Sequence, residues 1–447
     1  MKTAIPNIIW PVLLYILLTI SGMARADDLI SVYKQALLSD PQYQAALEAH
    51  SAALEVVPQA RSALLPNIGI GGDVSRERFD PRNEGETNYS TNQIYSIGLR
   101  QTLYQRERFI QLSQADNRVT QADAQLIAAQ QDLIIRVATR YFLVLAANDN
   151  IDFVTADKDA ISRTLEQARQ QFAVGLAPIT DTLEAQARFD IAVSNEINAE
   201  QLLSDTEEAL RELTGELPMS PEILQEEIPL LKPEPTNLDE WVSAANQQNP
   251  LVLAATAAAE VAKQEIQVKN SGHYPSLDAT ADYSYLDNTF GGVLPLERND
   301  SAIGLELNIP IYQGGLVSSQ TRQSRYEYNQ AMEELTRQRR ATERQTRDNY
   351  RGVLAGIKRV EALYNAVLSN EKAVQAAEAG FEVGTRAIID VLNAQRDLLE
   401  ARRDYARSRY DYLLDTLELK QAAGNLSSVD LAQVNNWLIE NKHYVAP

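Results

Sequence analysis

The sequence predicts a mainly α-helical protein that also carries strands of a membrane β-barrel, in a helix, strand, strand, long helix, helix unit used twice. Three observations predict it. The turn Phe-x-Val-Gly, closing on Ile-x-Asp, occurs at Phe172 to Asp181 and again 209 residues on, at Phe381 to Asp390. Long stretches without proline or glycine carry apolar residues at steps of 3 and 4, the beat of helices packed along a heptad seam. Shorter stretches alternate apolar and polar residues, the period of a strand with one face of each kind.

The bulk composition agrees. Although 45% of the 447 residues are apolar, there are only three Trp and eight Phe, against abundant Ala, Gln, Glu and Arg. That is the make-up of long helices meeting through narrow seams rather than of thick globular cores. There is no cysteine, which excludes a disulfide, a thiolate metal site and a lipid-bearing thiol. The formal charge of −20 argues against nucleic acid as a partner.

At the amino terminus Lys2 precedes an apolar run from Ile8 to Ile20 broken by Pro11, and Ala24-Arg25-Ala26 offers the small residues of a cleavage site. Residues 1–26 therefore read as a secretory signal, since the run is shorter than the roughly 20 residues that span a bilayer. Loss of Lys2 and Arg25 takes the charge to about −22.

The first repeat is expected over 27–214, with a helix at about 28–64, strands at about 66–79 and 91–103, a long helix at about 105–171 and a helix at about 180–214. The second covers 241–424, with strands at about 276–288 and 299–311 and a long helix at about 318–380. Pro41 and Pro250, Pro66 and Pro275, and Gly215 and Gly424 all share the offset of 209. In the strands Leu277, Ala279, Ala281, Tyr283 and Tyr285 alternate with Asp278, Thr280, Asp282 and Ser284. Ile303, Leu305, Leu307 and Ile309 do so against Gly304, Glu306 and Asn308, as do Ile97, Leu99 and Leu103 against Ser96, Gly98, Arg100 and Thr102. The long helices carry seams at Leu112, Ala115, Val119, Ala122, Leu126, Ala129 and Leu133, and at Tyr350, Val353, Ile357, Val360, Tyr364, Val367 and Val374, with Glu371 as the one break.

The apolar strand faces have nearly the length that crosses a bilayer when tilted. Four strands cannot close a barrel, the smallest of which use eight, and open edges in hydrocarbon leave backbone groups unpaired. Several copies must share one barrel, and strand number alone allows two or three. A soluble sandwich on a coiled coil is the alternative, but it needs a second sheet that the pattern does not supply.

No catalytic signature is present. His50, His273 and His443 lie far apart with no metal-ligand spacing and read as solvated surface residues, and no nucleophile elbow, phosphate loop or zinc motif occurs. No cofactor is expected. A periplasmic adaptor also uses helical hairpins, but one long hairpin in small β-domains does not present every element twice; a coiled-coil scaffold that transports nothing is a further alternative.

The doubled unit, the turns FAVGLAPITD and FEVGTRAIIDVLNAQ, and the downstream YDYLLDTLELKQAAGNLSSVDL resemble the TolC family of outer membrane channel proteins. The resemblance implies a homotrimer with one twelve-stranded barrel in the outer membrane and a twelve-helix tunnel in the periplasm. It places the Pro-rich stretch 215–240 and the tail 425–447 in a belt around the tunnel. It further implies a passive duct for efflux pumps or type I secretion, opened by a periplasmic adaptor and an inner-membrane ABC, RND or MFS translocase. The periplasmic gate would lie at Thr180, Asp181, Phe381 and Arg386, with Arg386 linking to Thr180 and Asp181, and the adaptor would meet the tip turns at Val174, Gly175, Val383 and Gly384. The family usually carries two acids three positions apart at the pore constriction. Here the first is Asp390 and Asn393 stands in place of the second, so a ring of Asp390 carboxylates is expected to favour cations while the Asn393 amides add no net charge.

Overall fold

A computed structural model describes residues 28–80, 87–216, 221–290 and 296–439; the signal over 1–26 and His443 lie outside these. In chain order the elements are α1 (Leu29–Ser39), α2 (Pro41–Leu54), α3 (Val56–Ser62), β1 (Asn67–Phe79), β2 (Asn88–Gln105), α4 (Arg106–Ala173), α5 (Ile179–Thr214) and β3 (Ile223–Leu224). They continue as α6 (Leu238–Gln248), α7 (Pro250–Asn270), β4 (Ser276–Phe290), β5 (Leu296–Asn308), α8 (Leu316–Glu382), α9 (Ile388–Ala423), α10 (Ser428–Asn435) and β6 (Leu438–Ile439).

The duplication is carried into the element ends. Helices α1 and α6 each have 11 residues and α5 and α9 each have 36. The long helices α4 and α8 have 68 and 67, about 100 Å at 1.5 Å per residue. The helical run expected over 28–64 is three helices instead. Proline disfavours a helical conformation in the residue before it, and Asp40, preceding Pro41, is extended at φ −67° and ψ 114°. Its freed carboxylate accepts from Tyr43 N at 2.8 Å and caps α2. The second repeat breaks at the matching place: Asn249, before Pro250, accepts from Leu251 N and Val252 N.

Two compact units divide the chain, one formed by residues 45–128 and 246–343 and the other by the rest. The first holds an antiparallel sheet in the order β1-β2-β4-β5. Its register aligns one apolar face across all four strands: Ile68 lies opposite Leu99, Leu99 opposite Ala281, and Ala281 opposite Ile303. That face is bare, with Ile70 84% and Ile303 92% exposed. On the other face Arg100 Nη2 meets Glu306 at 3.1 Å and Nη1 meets Asp278 at 3.6 Å. The alternation expected to run on through Leu103 stops there, because Thr102 pairs with Asp278 and Tyr104 with Leu277, leaving Leu103 as the extra residue of a bulge. Strand β5 ends at Asn308, so Ile309 falls outside it. His50, read as solvated, is half-buried with Nε2 2.6 Å from Asp123 Oδ1; that carboxylate lies 73 residues away in sequence and reaches it only through folding.

In the second unit the buried core includes Leu133, Val137, Tyr141, Phe142 and Leu145 of α4, Leu210 of α5, and Leu413 and Leu417 of α9. Phe142 stacks on Tyr410 at 5.6 Å, and the Tyr410 hydroxyl donates to Asp149 Oδ2 at 2.8 Å. Burial pushes both groups above their ordinary pKa ranges. The Arg136 guanidinium grips Asp40 with two bonds of 3.0 and 2.7 Å and holds its carboxyl below the usual range. On α8 the break at Glu371 has a partner, Arg402 of α9, at 2.7 Å.

The stretch after α5 and the tail after α9 meet in this unit. Ile223 pairs with Ile439 and Leu224 with Leu438, Arg409 donates to the Gln225 carbonyl at 3.1 Å, and Tyr412 Oη bonds both backbone groups of Leu231 at 2.7 and 3.0 Å. Among the described residues no helix is long and apolar enough to cross a membrane.

Candidate functional site

Both helix tips lie in the second unit and are built alike. At the first, Leu176 N donates to Gln171 O at 2.8 Å and Gly175 N to Phe172 O at 2.9 Å; at the second, Thr385 N donates to Gly380 O at 2.8 Å and Gly384 N to Phe381 O at 3.1 Å. These paired bonds form the Schellman closure, whose penultimate residue must be left-handed. Gly175 and Gly384 supply it at φ 76° and 74°, a conformation that a side chain resists. Val174 and Val383 stand out beside them, 70% and 74% exposed.

Beneath the turns the two hairpins share one apolar cluster. Ile161, Leu165 and Ala168 of α4, Ala185 and Ala192 of α5, and Ile388 and Leu392 of α9 form it, with Phe189 and Phe381 packed against it. Phe381 is thus a half-buried packing residue within its own chain. The alanines at 185, 192 and 199 recur every seventh residue and are all buried, so α5 presents a flat seam.

The polar residues predicted for the gate are not joined within the chain. Thr180 Oγ1 donates to Asp181 Oδ1 at 3.4 Å, while no carboxylate stands within ion-pair distance of Arg386 among the described residues. The chain by itself does not make the Arg386 to Asp181 link. Arg386 lies back over its own turn: its backbone N donates to Gly380 O at 3.1 Å, and a Cβ added at Gly380 would stand 3.0 Å from Arg386 Cγ. The glycine leaves room for the arginine stem.

Asp390 sits in the first turn of α9 and accepts from Ala387 N at 3.2 Å, where the helix dipole also favours a carboxylate. Asn393, three residues on, accepts from Arg188 Nη2 of α5 at 3.2 Å. Sequence reasoning missed Arg188, though a charge between Ala185 and Ala192 on a seven-residue seam was the available signal. No cluster of acids or histidines suited to a metal ion occurs among the described residues.

Open amphipathic strands joined to long helical hairpins with two glycine tips define a subunit of an outer membrane channel. The chain belongs to the outer membrane efflux protein family, whose model matches residues 32–216 and again 241–425, the same offset as the sequence repeat. It is similar to outer membrane protein TolC of Vibrio cholerae, 38% identical over 424 residues that span 93% of this chain and 95% of that one. Proteases secretion protein PrtF of Dickeya chrysanthemi is 28% identical over 446 residues, 95% of this chain and 94% of that one. The crystal structure of the outer membrane protein VceC from Vibrio cholerae superposes with a TM-score of 0.75 at 19% identity, covering 90% of this chain and 97% of that one; likeness at that identity is one of fold.

Proposed function

We propose that this protein is the passive exit duct of an efflux or type I secretion machine, a homotrimer whose shared barrel lies in the outer membrane. The observation that carries the reading is the four-stranded sheet. Its apolar face is in register and bare, and β1 and β5 are its two edges. In lipid such edges leave backbone groups unbonded unless further copies continue the sheet to closure; three copies give twelve strands. The adaptor meets the tips at Val174, Gly175, Val383 and Gly384, and an inner-membrane ABC, RND or MFS translocase supplies the energy. Thr180, Asp181, Phe381 and Arg386 hold the entrance shut between copies, and Asp390 and Asn393 line its narrowest point. The described parts of the stretch 215–240 and of the tail 425–447 form a belt on the helices.

The mature protein is expected to have the mass of a trimer in detergent and to conduct ions across a planar bilayer, with Arg386→Ser raising the single-channel conductance. A monomer or dimer refutes the shared barrel. A trimer that never conducts favours the scaffold reading instead, and an unchanged conductance in Arg386→Ser removes Arg386 from the gate.

A further inference from the structure

Arg188 is a charge on a packed face. Ala185, three residues before it, and Ala192, four after, are both buried, and on a helix residues at these spacings share a side. Phe189 beside it packs into the tip cluster. Packing alone is served better there by an alanine or leucine, because holding a guanidinium against a seam costs hydration. Nor is the cost offset by an ion pair, for the partner is the neutral carbonyl oxygen of Asn393 at 3.2 Å. Among the described residues no carboxylate lies within 4.0 Å of Arg188. An aspartate at 393 would neutralise the guanidinium. The asparagine orients it and leaves its charge free. At the matching place in the second repeat stands Asp397, paired to Arg396 at 2.8 Å, so this cation is not a feature of the repeated framework.

We propose that Arg188 sets the ion preference of the entrance, its positive charge beside Asn393 compensating the negative charge of Asp390 one turn away on α9. This rests on the reading that Asp390 and Asn393 line the constriction. At the narrowest point each copy then contributes one anion, Asp390, and one fixed cation, Arg188, so the parent favours cations only weakly and binds a multivalent cation poorly. Because Arg188 comes from α5 and Asp390 from α9, the balance holds only while the two helices stay in contact. Opening that separates them unmasks the acid.

The test uses the full-length trimer in planar bilayers, with reversal potentials in a potassium chloride gradient and block by hexaamminecobalt(III) added on the periplasmic side. Arg188→Gln, which keeps an amide able to bond Asn393, is expected to raise cation selectivity and tighten block about tenfold or more, the size of removing a unit charge near a trivalent ion in a watery mouth. Arg188→Lys is expected to behave as the parent. Asn393→Asp is expected to tighten block as well, and Asp390→Asn to turn the preference toward anions. If Asp390→Asn changes selectivity while Arg188→Gln does not, Arg188 does not act on the pore and the proposal is overturned. If neither changes it, the constriction lies elsewhere and the underlying reading falls with the proposal.

Discussion

The bond between Asp40 and Arg136 makes the two partners unequal, and that inequality is measurable. The Asp40 side chain is 3% exposed, whereas Arg136 is 23% exposed and also holds Asp132 at 2.8 Å. Arg136→Ala strands a buried carboxylate, which costs about 3–5 kcal/mol. Asp40→Ala leaves a guanidinium that reaches water and keeps a second acid, so the loss is the bond and the α2 cap, about 1–3 kcal/mol. Their pH dependence differs in sign. Arg136 holds the Asp40 carboxyl below its ordinary range, so the parent's stabilisation is complete above the unfolded value of about 3.9 and is lost as pH falls through the lowered one. Without Arg136 the contact that lowers the carboxyl most is gone while burial still raises it against the Tyr43 and Gln42 backbone bonds, so its value moves up and the penalty shrinks as pH falls toward it. Urea unfolding of the detergent-solubilised protein, followed by helical circular dichroism at about pH 7 and about pH 5, is expected to show Arg136→Ala costing more at the higher pH. Equal costs for the two single variants, or a cost for Arg136→Ala that does not move with pH, would refute this reasoning.

Three further outcomes follow from single contacts. Gly384→Ala is expected to cost about 1–2 kcal/mol from its left-handed backbone alone, because nothing lies within 4 Å of the added Cβ; a neutral result in urea unfolding would mean that the turn re-forms. Gly380→Ala brings a methyl to 3.0 Å from Arg386 Cγ and is expected to displace that side chain and, like the outcome expected of Arg386→Ser, raise single-channel conductance while keeping the charge. Tyr410→Phe removes the donor that lowers the Asp149 carboxyl against its burial, so it is expected to cost about 1–3 kcal/mol, more at neutral than at acid pH, read from unfolding midpoints across that range.

What could be read from the sequence was what local chemistry dictates. The prolines and glycines at an offset of 209 marked the duplication, and the alternation around Ala281 and Ile303 marked strands, because each signal needs only neighbours along the chain. The break at Asp40-Pro41 was present as an X-Pro step but lay under a continuous apolar pattern. The pairing of Ile223 with Ile439 carries no periodicity; two residues at each end meet although a whole repeat separates them in sequence. Asn393 was legible as a missing acid, whereas its bond to Arg188 crosses 205 residues and two hairpins, and no spacing encodes it.

The two repeats keep their ends and differ in their polar partners, and the pattern of difference has a physical sense. Arg169 donates to Gln186 at 2.6 Å between α4 and α5. Displaced by the repeat offset, Glu378 accepts from Gln395 at 3.2 Å between α8 and α9. The glutamine presents its oxygen to a cation in one hairpin and its nitrogen to an anion in the other, so one amide serves both signs without a change of backbone. Gln171 and Ala177 in the first tip likewise become Gly380 and Arg386 in the second, where the glycine makes room for the arginine. In a ring of three copies each hairpin must lie between hairpins of the other kind, although all six share one geometry. Identical surfaces would allow a hairpin to sit in its neighbour's place; exposed charges of opposite sign at matching positions, Arg169 on one kind and Glu378 on the other, make the two kinds distinguishable. The same divergence puts Arg188 on one hairpin and Asp390 on the other, and the bond from Arg188 to Asn393 at 3.2 Å joins the two kinds.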